Sequence, residues 1–90
     1  MNNRYLEVTY RKGRPLAAYL HLPRRDGDRS VRVEQFAEGL VVDLAADGRP
    51  IGIEMTAPAA VSLDQINSVL RGYGLPELVD EELSPLREAA

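Results

Sequence analysis

The first two-thirds of the chain alternates apolar and polar residues with a period of two, which is typical of strands buried on one face. Five stretches show this alternation or a short apolar run, and each is bounded by residues that favour turns. We therefore predict five strands, close to residues 5–10, 16–22, 31–35, 40–44 and 51–55.

The Asp47-Gly48 pair between the fourth and fifth strands is a strong hairpin signal. A tight turn centred on it brings six apolar side chains onto one face. The facing pairs are Leu44 with Ile51, Val42 with Ile53, and Leu40 with Met55. A slip of one residue would set Leu40 against Glu54 and scatter the apolar set, so we expect the first register.

After Pro58 the apolar period changes from two to that of a helix. Ser62 and Gln65 form a capping box, and Gly72 is the predicted residue just past the helix. The apolar stripe consists of Leu63, Ile66, Val69 and Leu70. A helix this short is unstable alone, so we expect it to pack on the sheet.

These elements predict an α+β fold, an antiparallel meander of about five strands with one packed C-terminal helix and a short acidic tail. We expect a single domain over residues 1–90, with the meander in 1–56, the helix in 62–72 and the tail in 76–90. Pro85 blocks a long final helix, so the tail should hold a short turn or helix followed by a frayed end.

Composition removes several classes of function. A chain of 90 residues has room for one small core. With no Cys and one His, it lacks disulfides, cysteine nucleophiles and the usual ligand sets of zinc. It has no run of ~18 apolar residues for a membrane span and no apolar leader. We expect a cytoplasmic protein without cofactor or metal.

Charge is divided unevenly along the chain. Residues 1–32 hold eight basic and three acidic side chains, whereas residues 33–90 hold three basic and eleven acidic ones. The simplest interpretation is that the two parts face each other, within one chain or across a dimer. Nucleic-acid binding through the basic third is the alternative, but a pI near 5.1 argues against it.

The candidates for chemistry are Asp43, Glu54 and His21. In the expected register the two carboxylates share the polar face, where they could hold a proton or a cation between them. Solubility alone would also place them there. His21 has no local nucleophile or orienting acid, so we expect a strand surface residue or a dimer contact. A small-molecule or metal-dependent enzyme using these three residues remains the alternative to a binding role.

The span Gly39–Met55, G-L-V-V-D-L-A-A-D-G-R-P-I-G-I-E-M, resembles a family of small bacterial proteins known as domain of unknown function 2283, in which V-D-x-x-x-D-G-x-x-x-G-I-E-I recurs. Tyr10 followed by Ala17–Leu22 resembles the family's opening, so the resemblance covers about Tyr5 to Leu70. The family's first turn is usually acidic, whereas Arg11–Pro15 is basic here. The family implies no activity, but some relatives look like the smaller partners of toxin-like proteins.

We expect a non-enzymatic protein-interaction module that forms a homodimer, and the resemblance implies a neutralising partner of a toxin-like protein. One helix covers only one face of a five-stranded sheet, which leaves the other face for self-association. The candidate interface residues on that face are Tyr19 and Val41. Three further interface candidates lie in the first hairpin, and we expect them to face the acidic part of another subunit. They are Arg11, Lys12 and Arg14.

Overall fold

A computed structural model describes residues 4–87 and confirms the α+β class, with five antiparallel strands in one open sheet and a helix near the C-terminus. Residues 1–3 and the last three residues of the predicted tail lie outside the described range. The strands are β1 (Tyr5–Arg11), β2 (Arg14–His21), β3 (Arg32–Ala37), β4 (Leu40–Leu44) and β5 (Pro50–Met55). The helices are α1 (Leu63–Gly72) and α2 (Ser84–Arg87), with 3₁₀ turns at Pro58–Ala60 and Asp80–Leu83.

The strand order in the sheet is β1-β2-β5-β4-β3, which differs from the order along the chain. Two runs of hairpins, β1-β2 and β3-β4-β5, are joined by antiparallel pairing of β2 with β5. This order places β5 at the centre of the sheet, next to β4, and both strands have three buried apolar residues. In β5, Ile51, Ile53 and Met55 are all fully buried.

The predicted register of β4 with β5 is confirmed for Leu40 with Met55 and Val42 with Ile53, but not for Leu44, which pairs with Pro50. The connection is a three-residue loop. Ala45 N–H donates to the Arg49 carbonyl, and Gly48 takes the left-handed conformation with φ 88°. Ile51 is then an extra residue in β5, and this bulge restores the expected register further along the hairpin.

The core lies on one side of the sheet, under α1 and the C-terminal segment. The sheet contributes buried apolar residues of β2, β4 and β5 to this core, and α1 contributes Ile66, Val69 and Leu70. Leu16 is not part of it, because it lies at a bulge between β1 and β2 and is half exposed. No helix within residues 4–87 is long and apolar enough to cross a membrane.

The capping box of α1 is present. The Ser62 side chain accepts from Gln65 N–H at 3.1 Å, and the Gln65 side chain accepts from Ser62 N–H at 2.9 Å. The other end differs from the prediction, because Gly72 is still helical and Gly74 is the left-handed residue, with φ 72°. Leu75 N–H reaches back to the Leu70 carbonyl, which completes a Schellman motif.

The acidic segment after α1 is docked through the described residues. Leu78 and Leu83 are buried in the core, and Leu86 packs against it. The buried Asn67 amide accepts from Leu78 N–H at 2.7 Å and donates to the Leu78 carbonyl at 3.2 Å. The Arg4 guanidinium contacts the Glu82 carboxylate at 3.0 Å. These contacts tie the segment to both α1 and the start of β1.

Candidate functional site

The side of the sheet away from α1 presents two rows of side chains, which we call the open face. Residues opposite each other in neighbouring strands point to the same side of a sheet. The first row is Tyr5, His21, Gly52, Asp43 and Val33, and the second is Glu7, Tyr19, Glu54, Val41 and Gln35. Every candidate for chemistry therefore lies on this face.

Tyr19 lies across Gly52. A side-chain carbon added to Gly52 would meet the Tyr19 hydroxyl oxygen at 1.9 Å, so the ring occupies the space that a side chain would fill. The Tyr19 hydroxyl donates to Asp43 Oδ2 at 2.6 Å, and Arg24 Nη2 donates to the same hydroxyl at 3.3 Å. Burial, followed by the hydrogen bond to Asp43, raises the pKa of Tyr19 far above its ordinary value. Tyr19 is therefore a proton donor in this network and not a base.

His21 is held between two tyrosine rings. It stacks on Tyr5 with ring centres 4.3 Å apart, and Tyr19 approaches it at 4.7 Å with a tilted ring. Its Nε2 lies 2.8 Å from the Glu7 carboxylate. The side chain is thus fixed by neighbours on β1 and β2, and Glu7 is an orienting acid that the pattern around His21 did not predict.

Asp43 and Glu54 lie on the same face in neighbouring rows, as the register predicts, and have different neighbours. Asp43 faces Gly52, as the register predicts, but its carboxylate accepts the Tyr19 hydroxyl. Glu54 is exposed one row away, between Val41 and Tyr19. Across residues 4–87 no group of three or more acidic or histidine side chains has the arrangement of a metal site.

The contact of Tyr19 with Gly52 and the role of Arg24 were missed by the sequence analysis. A glycine inside a strand marks close approach of another group, so Gly52 carried a usable signal. Arg24 lies in the loop after β2, and nothing in its neighbourhood along the chain connects it with Asp43.

The three cations of the first hairpin lie at its tip. Lys12 and Gly13 both have positive φ, 53° and 78°, as a two-residue turn of the primed type requires. Arg11, Lys12 and Arg14 are exposed, and none forms an ion pair with another described residue. They are separate from the cluster around His21.

A second feature is an exposed apolar strip within residues 31–36, at and just before β3. Val31 is 55% exposed, Val33 61% and Phe36 50%. Val33 belongs to the open face because it pairs with Asp43. The alternation of β3 thus predicts a strand correctly, but its valines lie outside the core.

A comparison of the chain with protein-family models, curated proteins and solved structures finds no match. The resemblance to domain of unknown function 2283 therefore stays a prediction.

Proposed function

We propose that this chain is a non-enzymatic protein-interaction module that acts as a homodimer. The observation that carries the proposal is the apolar strip of β3, where three large apolar side chains within six residues are at least half exposed. Exposed apolar groups gathered in one place mark interaction sites more often than scattered ones do.

The polar groups of the open face support an interaction role for this face as well. Tyr19 with Asp43, and His21 with Glu7, are hydrogen-bonded to each other within the chain. Side chains already fixed in this way lose little conformational entropy when a second surface covers them. Tyrosine is also among the residues enriched at interfaces, and Tyr5 is 58% exposed beside His21.

The partner that we propose is a second copy of the chain. The domain is thin, with a single apolar core on one side of its sheet, and a twofold contact repeats every favourable interaction twice. A role as the neutralising partner of a toxin-like protein rests on the resemblance alone and stays a prediction. The alternative, an enzyme built on Asp43, Glu54 and His21, also stays a prediction.

Sedimentation at low micromolar concentration tests the proposal. We expect a mass near twice 10.0 kDa that persists at high salt, because exposed ion pairs contribute only ~0–1 kcal/mol each. Val33→Asp should shift the protein toward monomer. Leu16→Asp, which introduces the same charge at another exposed apolar position, should leave the dimer intact. A mass near 10 kDa under all conditions would contradict the proposal.

A further inference from the structure

We propose that two copies pair antiparallel along β3, with the twofold axis at Val33, to form one continuous ten-stranded sheet. This inference rests on the proposed homodimer and identifies the surface that forms it. Four features of β3 support it: its place at the edge, the length of its regular part, its charge pattern and its exposed valines.

β3 is the less protected of the two edges of the sheet. It is the outermost strand next to β4, and five of its six residues are exposed. The other edge, β1, is contacted by the Asp80–Leu83 turn and by α2, and the Tyr10 hydroxyl donates to the Pro85 carbonyl. An uncovered edge strand offers unpaired backbone groups to another strand.

The regular part of this edge is short and contains Val33. The pairing of β3 with β4 is regular from Arg32 to Gln35 and shifts before Ala37. At the other end, Val31 N–H donates to the Leu44 carbonyl at 3.0 Å, which is one residue out of the register that pairs Arg32 with Leu44. Because an irregularity ends regular pairing, a strand added to this edge would pair mainly with residues 32–35.

Val33 is flanked by two opposite charges, Arg32 and Glu34, which can pair with each other across a twofold axis. Arg32 and Glu34 pair with Leu44 and Val42, so both lie on the helix side of the sheet. A twofold axis at Val33 sets Arg32 directly opposite Glu34 of the second copy, twice. An axis at Arg32 or at Glu34 would instead place that charge against its own copy, which is unfavourable for directly opposed residues.

The apolar contacts agree with the same register. Val33, the most exposed of the large apolar residues in β3, would meet Val33 of the second copy on the open face. Val31 would lie opposite Gln35. Because the axis is perpendicular to the sheet, the open faces of both copies would lie on one side and the helices on the other.

Charge reversal tests the register. Arg32→Glu alone and Glu34→Arg alone each place like charges opposite one another, so each should raise the dissociation constant of the dimer by about tenfold. An equimolar mixture of these two variants should recover dimerisation, because the mixed dimer has two complementary pairs. If the mixture dimerises no better than the variants alone, this register is overturned.

Cross-linking gives a second readout, and the chain has no native cysteine to interfere. Directly opposed strand residues have Cβ atoms ~4.5–5.5 Å apart, close to disulfide range. Val33→Cys should therefore give a covalent dimer under mild oxidation. Val31→Cys and Gln35→Cys should not do so singly, but should cross-link when mixed. Leu16→Cys is the control for random collision between exposed thiols.

The two proposals fail in different ways. A dimer in sedimentation without a Val33→Cys cross-link would overturn the β3 pairing and leave the homodimer standing. A monomer in sedimentation would overturn the homodimer and the β3 pairing with it.

Discussion

At the scale of single residues, Gly52 and Tyr19 act as one unit. Gly52 has no side chain, and the Tyr19 ring occupies the space that a side chain would fill. In this position the Tyr19 hydroxyl donates a hydrogen bond to Asp43. Gly52 is buried in a central strand, where a glycine without such a contact would only weaken the strand.

We predict that Gly52→Ala destabilises the protein by about 1–3 kcal/mol, because the methyl group must displace the Tyr19 ring. The matched control is the same change in a Tyr19→Ala background. There the methyl group has room, and replacing a strand glycine by alanine should be neutral or stabilising by up to ~1 kcal/mol. Urea denaturation of the four proteins gives the coupling energy directly. Equal costs in both backgrounds would contradict the account.

Tyr19 also predicts how stability changes at alkaline pH. Since its pKa is raised in the folded protein, the unfolded chain loses that proton first, near the ordinary tyrosine value of ~10. The contribution of Tyr19 is therefore fully present below about pH 10 and is lost as the pH rises above it. Stability measured in urea should fall less steeply above pH 10 in Tyr19→Phe than in the parent. Tyr5→Phe, on the same face, should keep the steeper fall.

At the scale of elements, the short turn and helix predicted for the C-terminal segment are present at Asp80–Leu83 and Ser84–Arg87. The contacts of Asn67 and Arg4 that hold this segment in place could not be predicted from it. The bond from Arg4 to Glu82 spans 78 positions, so neither residue signals the contact in its own neighbourhood.

The docking of this segment should weaken in acid. The hydrogen bond from Arg4 holds the pKa of Glu82 below its ordinary value. The resulting stabilisation is present above the ordinary glutamate value of ~4.3 and is lost as the pH falls through the lower folded value. We expect the NMR methyl signals of Leu83 and Leu86 to shift over that range. Glu82→Gln should abolish this dependence, whereas the exposed Glu81→Gln should keep it. An unchanged pH profile in Glu82→Gln would rule out Glu82 as its source.

At the scale of the whole molecule, local patterns predicted the elements and long-range contacts decided their arrangement. The five strands and the capping box follow from alternation and from Ser62 with Gln65, since each signal lies within a few residues. The pairing of Leu44 with Pro50 depended on the loop type, and two- and three-residue loops both suit Asp47-Gly48. β5 pairs with β2, and the Tyr19 hydroxyl bonds to Asp43. Both contacts are between residues that are far apart in the sequence.

A single thin core also means that one central residue carries much of the stability. Ile53 is fully buried between β2 and β4, and we predict that Ile53→Ala costs roughly 2–5 kcal/mol. A domain of this size has only ~5–13 kcal/mol in total. Thermal or urea denaturation measures the loss. Leu16→Ala, at a half-exposed position, should change stability by less than ~0.5 kcal/mol, and a similarly small change for Ile53→Ala would contradict the central role of Ile53 in the core.

The amide of Asn67 has a consequence for the motions of the folded chain. Because Leu78 is bonded through the side chain of Asn67 and not through a strand ladder, we expect residues 76–87 to open as a block while β2, β4 and β5 stay paired. Such a block opens at lower free energy than the whole domain. We expect the amide hydrogen of Leu78 to exchange with solvent faster than that of Ile53, and at a rate shared with its neighbours in the block.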